Sequence, residues 1–233
     1  MLERPAQRPV VAGVDGAPGG WVVVHWAPAG LSLATASRWH DLPLAAAARI
    51  GVDMPIGLSD GPPRACDTAA RRQLPRPRKA SVFPTPRRYM LGLSHAAANA
   101  EGRRRDGRGL SIQSWHILAK IAELDAALTP ADQARVHEVH PELVFHSLAG
   151  GAALPPKRRA AGRAARLALL DRAGLPDLRP LLDRQARGRA RSDDVLDAAA
   201  CALAAARIVA GQATRLPEVP DRDARGLHME IWF

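Results

Sequence analysis

Residues 10–21 read VVAGVDGAPGGW: an apolar run that ends on a carboxylate, Asp15, followed by three glycines before Trp21. Asp and Gly both suit turns, so Asp15 reads either as a turn former or as a ligand placed at the tip of a strand. The rest of the chain has to separate those readings. Residues 20–26 (GWVVVHW) form a second run dense in β-branched and aromatic residues, and APAG (27–30) leads into a third at 31–37. These three runs predict a meander. DLPLAAAAR (41–49) predicts a short helix with Asp41 as N-cap, and IGVDMPIGL (50–58) a buried fourth strand ending at Asp53 before Pro55 and Gly57.

Residues 64–73 suit a helix. Residues 75–111 are rich in Pro, Gly and Arg and read as a long excursion with one short helix over 88–100. The apolar stripe Ile112, Trp115, Leu118, Ile121, Leu124 and Leu128 predicts one helix over 111–128 with Ser111 as cap. Residues 134–143 read as a fifth strand stopped by Pro141, and 142–149, 160–173 and 177–187 as helices. SDDVLDAAACALAAARIVAG (192–211) is apolar around most of its circumference and predicts a buried helix ended by Gly211. The last residues, LHMEIWF, suit a small added strand. Strands that come both as a meander and separated by helices predict a mixed α/β sheet.

The 233 residues suffice for one large domain with a substantial core. No apolar run approaches the ~20 residues of a membrane span, and the charged, proline-broken start MLERPAQRP does not read as a secretory signal. Two distant cysteines, Cys66 and Cys201, point to a reducing compartment, so a cytoplasmic location is expected. Lys and Arg total 33 against 23 acidic residues, a net charge of +10 carried mostly by Arg. That field favours polyanions such as nucleic acid, although composition bias toward Arg, Ala, Gly and Pro produces it equally well.

The acidic residues carry the chemistry. Asp15 and Asp53 end two strands, and Asp194 and Asp197 lie at i, i+3 on the final helix and share a face. Asp193 and Asp194 also suit a first helical turn, where the dipole favours negative charge. Asp197 aligns with Cys201, Ala204 and Ile208, an apolar row in which an unpartnered carboxylate is costly. If both strands and this helix converge, the carboxylates require a cation, and hard oxygen ligands favour Mg2+ or Mn2+. Glu138 is a further candidate from the fifth strand. HEVHPE (137–142) is not the HExxH zinc motif, and on a strand His137 and His140 face opposite ways. No GxSxG, P-loop or GxGxxG occurs.

A strand-strand-strand-helix-strand order, with Asp on the first strand, an acid after the fourth and D-x-x-D on the last helix, resembles the ribonuclease H-like fold and, distantly, Holliday-junction resolvases. More narrowly, GVDGAPGGW, VDMPIGL, RACDTAAR, SVFPTPRR, SIQSWHILAKIAELD, EVHPELVF and SDDVLDAAACA resemble an uncharacterised family of predicted nucleases with that fold. The resemblance implies a ribonuclease H-like mixed sheet, three meander strands plus two parallel ones, flanked by helices. It implies a single domain over 8–233 with the Arg/Pro-rich insertion at 75–111. It also implies a metal site of Asp15, Asp53, Glu138, Asp194 and Asp197, with Asp53 standing where resolvases have a longer Glu. A nuclease on this plan hydrolyses DNA or RNA with two metal ions, its backbone held by Gly16, Gly19, Arg64, Arg78, Lys79, Arg87 and Lys157. Two other readings stay open: a nucleotide-binding phosphotransferase or ATPase, which uses an Asp-Gly loop on the same fold, and a non-enzymatic nucleic-acid-binding module.

Overall fold

The computed structural model describes residues 9–185 and 190–233. Five strands make one mixed sheet in the order β3-β2-β1-β4-β5. Strands β1 (Val11–Ala17), β2 (Gly20–Ala27) and β3 (Gly30–Ala36) pair antiparallel, and β4 (Arg49–Val52) and β5 (Val136–Glu138) add in parallel on the other side of β1. The predicted meander and two parallel strands are both present.

Period-2 alternation covers both faces of the sheet. Val11, Val22, Val24 and Trp26 pack with α8 (Ser192–Val209), while Ala12, Val14, Val23, Ile50 and Val52 pack beneath Ile121 and Leu124. The helices between are α1 (Ala65–Gln73), α2 (His95–Asp106), α3 (Ile112–His116), α4 (Leu118–Ala127), α5 (Pro141–Leu148), α6 (Ala160–Arg172) and α7 (Arg179–Gln185). Glu123 on α4 accepts from Trp21 Nε1 (2.9 Å) and from the Trp39 N–H (2.7 Å), which fixes that helix to the sheet. Among the described residues no helix is long and apolar enough to cross a membrane.

Several predicted elements are corrected. The strand expected over 10–15 runs on to Ala17, and the open glycine loop is a tight turn at Pro18–Gly19, with Gly19 at φ 77°. The helix over 41–49 is one 3-10 turn, Trp39–Asp41, followed by irregular chain. There the carbonyls of Leu44 and Ala47 accept from Arg135 Nη2 (3.1 and 2.8 Å) instead of from a helical ladder. Gly92 (φ 75°) breaks the expected helix over 88–100 into a 3-10 turn, Arg88–Met90, and α2, which Ser94 caps. The helix over 111–128 divides at Ile117 (φ −98°, ψ −3°). The fifth strand shrinks to three residues because Pro141 opens α5 at its first position. The helix expected over 177–187 is α7, and residues 186–187, like residue 8 at the start of the expected domain, lie outside the described residues.

The expected terminal strand is β7 (His228–Trp232), paired antiparallel with β6 (Arg215–Arg222). Two prolines hid β6 in the sequence, and an edge strand tolerates them. A bridge from Val139 to Trp232 attaches this hairpin to the main sheet beside β5.

Helix α8 lies directly on two paired glycines. A Cβ on Gly13 would fall 1.9 Å from the Ala198 carbonyl oxygen, and one on Gly51 2.5 Å from that of Cys201. Both obstacles are backbone, so the helix itself would have to move. Gly13→Ala is expected to lose about 2 kcal/mol of stability in urea unfolding; a loss under ~0.5 kcal/mol would show that α8 is not seated there.

Candidate metal centre

The seating of α8 builds the site. Gly13 pairs in register with Gly51, and the next residues on the same face are Asp15 and Asp53. The Asp53 N–H donates to the Val14 carbonyl (2.9 Å), holding the two strand ends side by side. One residue before Ala198 and one helical turn before Cys201, α8 presents Asp197 to the same point. A carboxylate oxygen from each of Asp15, Asp53 and Asp197 lies within 4.8 Å of the others. Among the described residues this is the group able to hold a metal ion, and it includes no histidine.

Such convergence is electrostatically strained. Burial pushes the Asp15 carboxyl well above its ordinary range, and Asp53, Asp197 and Asp194 push it further. Burial and then Asp197 push Asp53 up to about 8. Asp197 is raised by burial as well, against the opposing pull of Lys157. Lys157 Nζ donates to Asp197, and although burial disfavours its charge, Asp197, Asp53 and Asp15 outweigh that and raise its pKa. A single ammonium thus faces three carboxylates, which leaves charge for a cation to neutralise.

The other two predicted acids line the same cavity but are engaged elsewhere. Both Glu138 oxygens accept from Arg64, Oε2 from Nη1 (2.8 Å) and Oε1 from Nη2 (2.7 Å), and Oε2 also takes the Ile56 N–H. Asp194 Oδ2 accepts the Arg191 N–H (2.9 Å) and closes the start of α8. Neither belongs to the converging group.

Arg64 itself is 2% exposed and is held by Asp67, Glu138 and the carbonyls of Ile56 and Gly57, so it braces the floor of the site from below. Burial opposes its charge, but Asp67 and Glu138 hold it cationic. Asp67, despite burial, is kept low by Arg64, whereas burial lifts Glu138 to about 7.

The cavity above the carboxylates measures about 930 Å³ and its rim is cationic. Gly16, Gly19 and Lys157 line it. Arg78 does not; it ties the 76–81 segment to Glu142 (3.3 Å) and to the Leu154 carbonyl (2.5 Å). Lys79 does not line it either, and Arg87, paired with Asp106, lines a neighbouring cavity.

Two rim cations escaped the sequence reading, Lys120 and Arg191, and Arg158, which follows Lys157 in PPKRR, lines the cavity with them. Lys120 crosses Gly16 so closely that a Cβ there would fall 2.8 Å from its Cδ, and its ammonium stands 5.8 Å from the Trp21 ring. Within a helix read for its apolar stripe, nothing local marks Lys120 as different from a solvated lysine.

His137 is packed against Trp232 and driven by burial down to about 4, a neutral structural residue. His140 stands before α5, where burial likewise disfavours its charge.

No curated protein and no solved structure matches the chain. The family described as "Protein of unknown function (DUF429)" matches over residues 13–222, nearly the whole length, and the chain belongs to that family.

Proposed function

We propose that this is a ribonuclease H-like, Mg2+- or Mn2+-dependent phosphodiesterase that hydrolyses nucleic acid. The observation that carries the proposal is the convergence of Asp15, Asp53 and Asp197 oxygens within 4.8 Å in a buried, cation-rimmed cavity. The donor set fits the ion: all-oxygen carboxylate ligands suit hard divalent cations. The strand order β3-β2-β1-β4-β5, with β2 antiparallel, supports the ribonuclease H-like reading.

Asp15, Asp53 and Asp197 would hold two ions, which would supply Lewis acidity and an activated water for displacement at phosphorus. This chain's own residues do the positioning. Gly16 leaves room for Lys120 on the cavity wall, so Lys120 from α4 and Lys157 from the segment before α6 line the same cavity as the carboxylates. Arg158 and Arg191 extend the positive rim, which attracts a phosphate backbone over a floor that otherwise repels it. Lys157 donates to Asp197 and holds it in place, and with an ion neutralising the triad its ammonium would be available to a phosphate.

The test is cleavage of labelled DNA and RNA with Mg2+ or Mn2+, comparing the wild type with Asp15→Asn. Metal-dependent cleavage lost in the variant is the expected result. Equal behaviour of the two proteins sinks the proposal.

A further inference from the structure

A second cavity, of about 630 Å³, lies on the other side of the 83–86 segment. Two elements border both spaces. Thr85 lines each of them, Phe83 faces the first and Pro84 the second. On α3, Gln113 faces the first and Ser114 the second. The first cavity alone sits near the upper end of the range for small-ligand sites, ~300–1,000 Å³, so a ligand that fills both is longer than one compact small molecule.

The chemistry of the second space selects a polyanion. Its one carboxylate, Asp106, is taken by Arg87 Nε (3.1 Å) and by the Tyr89 hydroxyl (2.9 Å). Arg105 and Arg108 remain on its wall. Arg105 stacks on the Tyr89 ring at 4.4 Å and pairs with Glu101, while Arg108 has no ion-pair partner among the described residues. Phe83, half-buried, lines the first cavity two residues before Thr85, which borders both. Cations spaced along a path with an aromatic face beside it suit a strand of phosphates with unpaired bases, because a base within a duplex has no free face to stack.

We propose that the two cavities form one track for a single-stranded nucleic-acid segment. The phosphate to be cleaved lies at Asp15, Asp53 and Asp197, and the strand on one side of it runs past Phe83 and Thr85 to Arg105 and Arg108. The track rests on the phosphodiesterase reading for what happens at its floor. It goes beyond that reading in the form of the substrate and in how many nucleotides are held.

The experiment measures affinity for oligothymidylates of two, four and six nucleotides and for a six-base-pair duplex, in EDTA at several salt concentrations. Wild type, Arg105→Ala/Arg108→Ala and Arg105→Lys/Arg108→Lys are compared. In the wild type, affinity is expected to rise about tenfold or more from two to six nucleotides, since one stacked base contributes ~1–3 kcal/mol. The six-nucleotide strand is expected to bind better than the duplex. The alanine pair loses the gain with length, and its slope of log affinity on log salt is shallower by about 1.4, the value for two phosphate contacts on a single strand. The lysine pair keeps most of both.

Affinity independent of length, tighter binding of the duplex, or an unchanged salt slope in the alanine pair overturns the track. Mn2+-dependent hydrolysis of bis(p-nitrophenyl) phosphate, compared between wild type and Asp15→Asn, reads the floor separately. If that hydrolysis needs Asp15 while length has no effect, the track alone is wrong. If it does not need Asp15, the phosphodiesterase reading is wrong whatever the binding shows.

Discussion

Arg64→Met is expected to lower the stability of the fold by about 3–5 kcal/mol, the cost of leaving buried carboxylates without their counter-charge. The Arg64 side chain is 1% exposed and lies between Asp67 and Glu138, themselves 8% and 7% exposed. It also donates to the carbonyls of Ile56 and Gly57, so its loss strands two acids and two carbonyls together. Removing the charges jointly is far milder than removing one, because the penalty belongs to the orphaned group. Arg64→Met with Asp67→Asn and Glu138→Gln is therefore expected to recover at least half of the loss.

The single variant also acquires a pH signature. Without Arg64 the Glu138 carboxyl, already lifted to about 7 by burial, rises further in the folded state. A folded pKa above the unfolded one means that the folded state binds more protons, so stability falls as pH rises. The defect should be larger at pH 8.5 than at pH 5 in urea unfolding followed by circular dichroism. A single-variant loss below ~1 kcal/mol, or a defect that grows toward acid, would show that this cluster does not brace the floor.

How much of this was legible beforehand depended on whether the deciding contact was local. The β1–β2–β3 meander follows from alternation and turn residues, and each of its strands is present to within two residues. The three converging acids were legible too, though one signal went unused. The tripeptide Gly-Val-Asp occurs at 13–15 and again at 51–53. Its glycines admit α8 and its aspartates, on the same face, meet Asp197.

Glu138 and Asp194 show what the sequence does not contain. Glu138 is tied to Arg64, 74 positions away, a pairing that no spacing announces. Asp194 spends its carboxylate on the backbone N–H of Arg191, a capping role that looks identical in sequence to a ligand role. The helix expected over 41–49 was lost for a similar reason, since the cation that captures its carbonyls is Arg135.

The repulsion at the triad makes a second large effect follow, in which stability and activity move in opposite directions. Asp53 has its carboxyl raised to about 8 by burial and by Asp197, against an unfolded value of 3.8. Between those two values the folded state holds a proton that the unfolded state releases, so stability falls as pH rises from about 4 to 8 and is flat above. Each pKa unit corresponds to ~1.4 kcal/mol, of which relaxation of Lys157 and the side chains around it returns a part. Asp53→Asn removes the charge and keeps the shape, and is expected to stabilise the metal-free protein by about 2 kcal/mol or more at pH 8 and by little at pH 4. The same substitution removes a ligand oxygen, so Mn2+-dependent hydrolysis should fall at least ~100-fold.

Manganese separates the two consequences. At 100 times its dissociation constant an ion that binds only the folded wild type adds about 2.7 kcal/mol. The wild type should therefore regain with Mn2+ what it lacks in EDTA, and Asp53→Asn should respond weakly. Thermal unfolding across pH 4–9, with EDTA and with Mn2+, gives all four arms. If Asp53→Asn is no more stable than wild type in EDTA at pH 8, the carboxylates are not in mutual repulsion. If the variant gains as much from Mn2+ as the wild type does, the ion does not bind between them. A protein that keeps such a costly arrangement without an ion, where an amide would be more stable, keeps it for what the carboxylates do together.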